Sequence, residues 1–475
     1  MENLNGEFMS RLLCQYKYPS FLAAIIFAAA VFHNCRACTV FCINKGGMLV
    51  TGRSYDWSFG EGIIVVNKRN HFKTALAYWG DDTRNPASWT SKYGSITFVQ
   101  YGRDIAFDGM NEAGLVVSEL WLDESVYPGI DSRTSLSIDQ YVQYILDNCG
   151  TVDDIIASDA LIRQRPTPNN FTKIHFFAAD SSGNCVVVEF LNGKAVFHSK
   201  DTMPVKAITN DTYENSVNYI NRGVPPNPYS SSSLERFYRA ANMIADYNPD
   251  SSGNIIDYTF GILDAVKQGT WTKFQTVFDI KNRLIYFKSL KNPQLRFLSF
   301  GRFDFSCGTH SKILDINSSL SGDVTKNFYD YSTQENENLI RKAWEALGNT
   351  NIYQPALEMI SRYPDTFECN ETSGNNDLEN YIPEKIKLLQ NYPNPFNPTT
   401  IIGYSLSKPL FVNLCIYNIL GQNIKILANG YRGSGEYFLV WDGTDVFNNR
   451  VSSGVYFYIL NAGRLKLQKK MILLR

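Results

Sequence analysis

A polar run, Cys369-Asn370-Glu371-Thr372-Ser373-Gly374-Asn375-Asn376-Asp377, divides the chain into two stretches of different pattern. Each stretch must bury its own apolar surface. The expected boundaries are a body over residues 38–366, a linker over 367–381 and a second domain over 382–475. In the body, strand-like runs at residues 39–43, 48–51, 62–66, 96–98 and 115–122 are separated by Gly, Asn and Asp turns. Helical spacing appears at 137–148, 233–247 and 334–362, while 175–190 with 194–198, and 276–286, read as strand hairpins. Strands and helices without a regular βαβ alternation predict an α+β layered sandwich. Beyond the break, short runs at 400–406, 411–418, 437–441, 455–460 and 466–474 predict a small all-β sandwich of immunoglobulin-like type.

Ahead of the body, Arg11 and Lys17 precede an apolar run over residues 21–32, which leads to the small-residue exit Cys35-Arg36-Ala37. That order predicts a secretory signal peptide over 1–37 and a mature chain that begins at Cys38. Twelve apolar residues fall short of the eighteen or so that a membrane span requires. The alternatives are an uncleaved anchor, or a lipid-modified Cys38, which would require a Leu-like residue where Cys35 stands.

With 45 basic and 46 acidic residues, the formal net charge of -1 gives no global electrostatic case for nucleic acid or an anionic membrane. Nine cysteines are too few for a disulfide scaffold. Cys35, Cys38 and Cys42 have no nearby Cys or His pair to complete a tetrahedral site, so no metal is expected. Dinucleotide, phosphate-loop, GxSxG and HExxH patterns are missing in a fitting context, and no cofactor is expected.

If Cys38 becomes the first residue, its thiol acquires a base in its own α-amine, whose ordinary pKa is about 7.7 to 8.0. Such a nucleophile suits acyl transfer through a thioester. In Gly52-Arg53-Ser54-Tyr55-Asp56-Trp57, a guanidinium at Arg53 would lower a neighbouring thiol's pKa and a carboxylate at Asp56 would hold the amine.

These residues, with Phe107-Asp108-Gly109-Met110-Asn111-Glu112-Ala113-Gly114-Leu115, Ile174-His175-Phe176-Phe177-Ala178-Ala179-Asp180, Ala207-Ile208-Thr209-Asn210 and Glu235-Arg236-Phe237, resemble the choloylglycine hydrolase and penicillin V acylase family of N-terminal nucleophile hydrolases. The resemblance implies an αββα sandwich, hydrolysis of a linear amide C–N bond in a small N-acyl amide, and a homotetramer. It places the nucleophile at Cys38, a thiol-flanking arginine at Arg53, the amine-holding aspartate at Asp56, an oxyanion-hole asparagine at Asn210 and a second arginine at Arg236. Trp121 stands where bile-salt hydrolases carry an asparagine. With Trp57, it resembles the branch acting on phenoxyacetyl-penicillin and N-acyl homoserine lactones, and the two indoles suit a flat or aliphatic acyl group. A conjugated bile-salt hydrolase and a catalytically silent surface binding protein are the alternatives.

In the tail, Gln390-Asn391-Tyr392-Pro393-Asn394-Pro395-Phe396-Asn397-Pro398, Ile416-Tyr417-Asn418-Ile419-Leu420-Gly421, Val440-Trp441-Asp442-Gly443 and Ser453-Gly454-Val455-Tyr456 resemble the type A C-terminal sorting domain of the type IX secretion system. That implies export across the inner membrane, engagement of the type IX machinery, and release or attachment at the outer surface of a Bacteroidetes-like bacterium.

Overall fold

The computed structural model describes residues 37–76, 85–167, 171–225, 227–349, 352, 354–370, 386–391, 393–407, 410–432, 435–463 and 465–474. The expected signal peptide, apart from Ala37, and most of the expected linker lie outside the described residues. The chain divides into two compact units: one runs to Glu371, and the other starts at Thr372 and also takes in 82–87 and 133–135.

The strands that build the site in the first unit are β1 (Thr39–Lys45), β2 (Met48–Asp56), β3 (Ala106–Asn111), β4 (Val116–Trp121), β5 (Ile174–Ala179) and β6 (Thr272–Asp279). The helices that cover them are α1 (Tyr141–Asn148), α2 (Ser233–Asp246) and α3 (Ile255–Val266). A seven-stranded sheet runs in the order Ala207–Ile208, β1, β2, β6, Leu284–Ser289, Arg296–Ser299, Gly322–Asp323. A nine-stranded antiparallel sheet runs Lys194–Ser199, Cys185–Leu191, β5, β4, β3, Ser95–Val99, Ile63–Asn67, Lys312–Asp315, Tyr329–Asp330.

Period-two alternation gives each sheet one apolar face for the other. Tyr55 and Phe274 of the first sheet stack with Phe107 of the second, and Phe98 meets Phe278 and Phe287 edge-on. The outer faces are closed by α1 over β3 and β4, and by α2 and α3 over β1, β2 and β6. The result is a helix, sheet, sheet, helix stack, as the α+β expectation required. Gly52 shows how closely the outer layer is applied: a Cβ there would lie 2.6 Å from the Phe41 ring and 2.7 Å from Thr259 of α3.

Several elements differ from their sequence patterns. Residues 334–362 form two helices, Thr333–Ala346 and Gln354–Arg362, which pack on each other. The helical spacing over 137–148 resolves into a 3-10 turn, Ile138–Gln140, followed by α1. The start of the expected linker is ordered: Glu368–Cys369 pairs with the strand His71–Thr74, and Cys369 forms a disulfide with Cys307.

In the second unit, Lys387–Leu388, Thr400–Leu406 and Gly435–Trp441 form one antiparallel sheet. Asn423–Arg432, Leu410–Asn418, Gly454–Ala462 and Leu465–Leu473 form another. Ile402, Tyr404 and Trp441 from the first share one core with Leu414, Tyr458 and Met471 from the second. The long strand Asn423–Arg432 was not among the expected strands.

Candidate active site at the start of β1

Pairing in the β1–β2 hairpin sets Thr39 opposite Ser54 and Val40 opposite Arg53. Extending that register by one residue brings Cys38 level with Tyr55. Cys38, Arg53 and Tyr55 therefore face the space between the sheets. The Cys38 thiol is buried, and its Sγ lies 3.9 Å from the Asp56 main-chain oxygen. Burial pushes the thiol up from its ordinary pKa, while Arg53 and Arg236 pull it back. Arg53 thus lowers the thiol as expected, but burial outweighs it while Ala37 remains attached.

Arg53 has a structural duty as well. β3 and β4 pair only as far as Asp108 opposite Ser118 and then part, which leaves main-chain carbonyls to be satisfied. The guanidinium of Arg53 enters the split, donating to the Phe107 oxygen and, at 2.6 Å, to the Glu119 oxygen. Asp108 lies 3.9 Å from it and is held by the Ser118 and Thr276 hydroxyls at 2.5 and 2.6 Å.

Asp56 is fully buried, and its Oδ1 accepts from the Ser54 hydroxyl at 2.8 Å and the Thr272 hydroxyl at 2.5 Å. Its Oδ2 is buried and has no hydrogen-bond partner among the described residues. Desolvation raises the acid from its ordinary value near 3.8 to about 6, against the pull of Arg236, the two hydroxyls and Arg53.

Arg236, on the first turn of α2, donates to the Cys38 carbonyl at 2.5 Å, the Thr39 hydroxyl at 2.8 Å and the Asn210 Oδ1 at 2.9 Å. Asn210 in turn donates from Nδ2 to the Trp121 carbonyl at 2.9 Å. Because Leu122 bonds to Lys173 in the β4–β5 ladder, alternation turns the N–H and C=O of Trp121 toward the split. The Trp121 N–H and the Asn210 amide thus meet on one side of β4. Nδ2 carries two hydrogens and Trp121 takes one. The rings of Trp121 and Trp57 are 6.1 Å apart, and Trp57 Nε1 donates to the Tyr101 hydroxyl at 2.5 Å.

All seven sequence-predicted residues, Cys38, Arg53, Asp56, Trp57, Trp121, Asn210 and Arg236, therefore converge on the start of β1. Sequence reasoning missed Thr272, which lies 216 residues from its partner, and Tyr101, which sits outside any motif. It also missed Glu119, whose only signal is an acid in the middle of the apolar strand β4. Among the described residues, no group of three or more His, Cys, Asp or Glu could hold a metal.

Residues 38–237 match the family described as linear amide C–N hydrolases, choloylglycine hydrolase family, and residues 390–474 match a secretion system C-terminal sorting domain. A penicillin V acylase of Pectobacterium atrosepticum is 25% identical over 304 residues, covering 54% of this chain and 78% of that protein. A bile salt hydrolase/transferase of Bifidobacterium longum is 23% identical over 296 residues, 53% of this chain and 92% of the relative. Among solved structures, a penicillin V acylase from Agrobacterium tumefaciens superposes with a TM-score of 0.53 at 28% identity, over 62% of this chain and 98% of that one.

Proposed function

Because the chain carries an amidohydrolase domain of the choloylglycine hydrolase family, acting on linear amides, and a secretion system sorting domain, we propose that it is an exported amidase whose nucleophile is Cys38. The observation that carries this reading is the unpartnered Oδ2 of Asp56, buried beside Cys38. A buried carboxylate oxygen without a donor is costly. The α-ammonium created by removal of residues 1–37 is a donor of suitable charge at that place.

In the mature chain the α-amine takes the thiol proton, and Sγ attacks the carbonyl carbon of the amide. The Asn210 amide and the Trp121 N–H donate to the oxyanion that develops. As the C–N bond breaks, the α-ammonium returns the proton to the leaving amine, and water then hydrolyses the thioester. Asp56 fixes the amine. Arg236 fixes Asn210 and the Cys38 main chain, and with Arg53 supplies positive charge to the thiolate.

The facing indoles of Trp57 and Trp121 favour flat or aliphatic acyl groups, as in phenoxyacetyl amides and N-acyl homoserine lactones, over a hydroxylated steroid. The sorting domain, as an immunoglobulin-like sandwich over 382–475, delivers the enzyme through the type IX machinery to the surface or medium of a Bacteroidetes-type cell. The body works as a homotetramer. A panel of penicillin V, acyl homoserine lactones and conjugated bile salts, assayed by release of the free amine, tests the reading. Hydrolysis of the first two classes ahead of the third supports it. Exclusive hydrolysis of bile salts moves the substrate to the steroid class, and no hydrolysis of any of them favours a binding protein.

A further inference from the structure

Glu119 is the one residue of β4 that is not fully buried. Its main-chain oxygen is bound by Arg53, but its carboxyl makes no hydrogen bond or ion pair among the described residues. Alternation along β4 puts it on the same face as Trp121, two residues further on. Trp121 meets Trp57, Trp57 donates to Tyr101, and the Tyr101 hydroxyl lies within electrostatic reach of the Glu119 carboxyl. These contacts close a ring of four side chains. Three of them, Trp57, Tyr101 and Glu119, keep accessible surface although they arise from the interior.

We propose that Glu119 is a specificity-determining residue that hydrogen-bonds a polar oxygen, whether oxo, hydroxyl or ether, on an otherwise apolar acyl group held between the two indoles. The proposal rests on the amidase reading, which makes this ring the acyl pocket. An apolar pocket with one convergent polar group selects a ligand with a matching polar atom, because an unmatched chain leaves that group desolvated and unpaired.

The groups facing the carboxyl are Arg53 on β2, Asp108 on β3, Asp139 in the turn before α1, and the hydroxyls of Tyr55, Tyr101 and Tyr127. Burial raises the acid from its ordinary value near 4.5 to about 8, with Arg53 opposing and the two aspartates assisting. At neutral pH it is a protonated acid able to donate to an oxygen acceptor.

The test measures kcat/KM on matched amides of one amine, using the full chain with its N-terminus at Cys38. Phenoxyacetylglycine is compared with 3-phenylpropanoylglycine, which replaces the ether oxygen by a methylene. The pair 3-hydroxyoctanoylglycine and octanoylglycine is run alongside. The wild type should prefer the oxygen-bearing partner about fivefold to tenfold, the scale of one hydrogen bond. Glu119→Leu should erase the preference and Glu119→Gln should retain most of it. An identical ratio in wild type and Glu119→Leu would overturn the proposal.

Should the leucine variant fail to fold, the pH profile of the ratio decides. For the phenoxyacetyl pair, whose ether oxygen can only accept, it should fall between pH 7 and 9 in the wild type and stay level in Glu119→Gln, and a level ratio in both would contradict the role. Groups acting on the scissile bond cancel in this ratio. Absence of turnover on every amide would sink the amidase reading instead. Calorimetric binding of the same pairs would then decide the inference by the same Glu119-dependent ratio.

Discussion

Asp56 holds one oxygen against two hydroxyls, and the other has no partner among the described residues. Its acid is raised from near 3.8 to about 6, so the folded chain binds that proton more tightly than the unfolded chain. Stability is therefore lost as pH rises through that window, on the order of 3 kcal/mol by pH 7. In a chain that retains Ala37, Asp56→Asn should raise the urea midpoint at pH 7 and leave it unchanged at pH 3.5. In the mature chain the ammonium partner should remove most of that gain. Cys38→Ala should abolish turnover with the far-ultraviolet spectrum and melting temperature preserved, and Cys38→Ser should retain only a small residue of activity, since a hydroxyl ionises far less readily. The residues themselves were legible because their motifs are short and local. Their duties were less so. That Arg53 satisfies two carbonyls in a parted ladder follows from a register between β3 and β4 which no single segment encodes.

At the scale of elements, the disulfide Cys307–Cys369 fastens the strand Glu368–Cys369 to the body across 62 residues. Closing a loop of that length stabilises by about 2 to 4 kcal/mol. Replacing both cysteines by serine should lower the melting temperature and open residues 367–370 to protease, with amide hydrolysis retained. Survival of the same protease resistance under reducing conditions would show that the strand pairing alone holds the segment. The polar composition after Cys369 concealed this attachment, because a linker and an edge strand share Asn, Glu and Thr. Most strands of the body were legible as dense strand-like runs between turn residues, and nearly all of their positions are buried. The strand Asn423–Arg432 was not, since Asn423, Lys425, Asn429 and Gly430 interrupt its apolar residues, and its pairing with Leu410–Asn418 supplies the order. Gly52 is explained only by the packed structure: Gly52→Ala would drive a methyl into Phe41 and α3. A loss of about 1 to 3 kcal/mol is expected in denaturant melts.

For the molecule as a whole, the two units have separate cores, so chemistry and address are separable. Deleting residues 386–475 should leave amide hydrolysis in cell extracts while removing it from the surface and medium of a type IX-competent host. The central claim is that the working nucleophile is an N-terminal Cys38. Intact mass spectrometry of secreted protein, quenched during turnover of an N-acyl amide, tests it most directly. The account predicts a chain that begins at Cys38 together with a second species heavier by the acyl group, lost on hydroxylamine treatment and absent in Cys38→Ala. Full activity from a chain that begins at any other residue, with no acyl adduct, would contradict it.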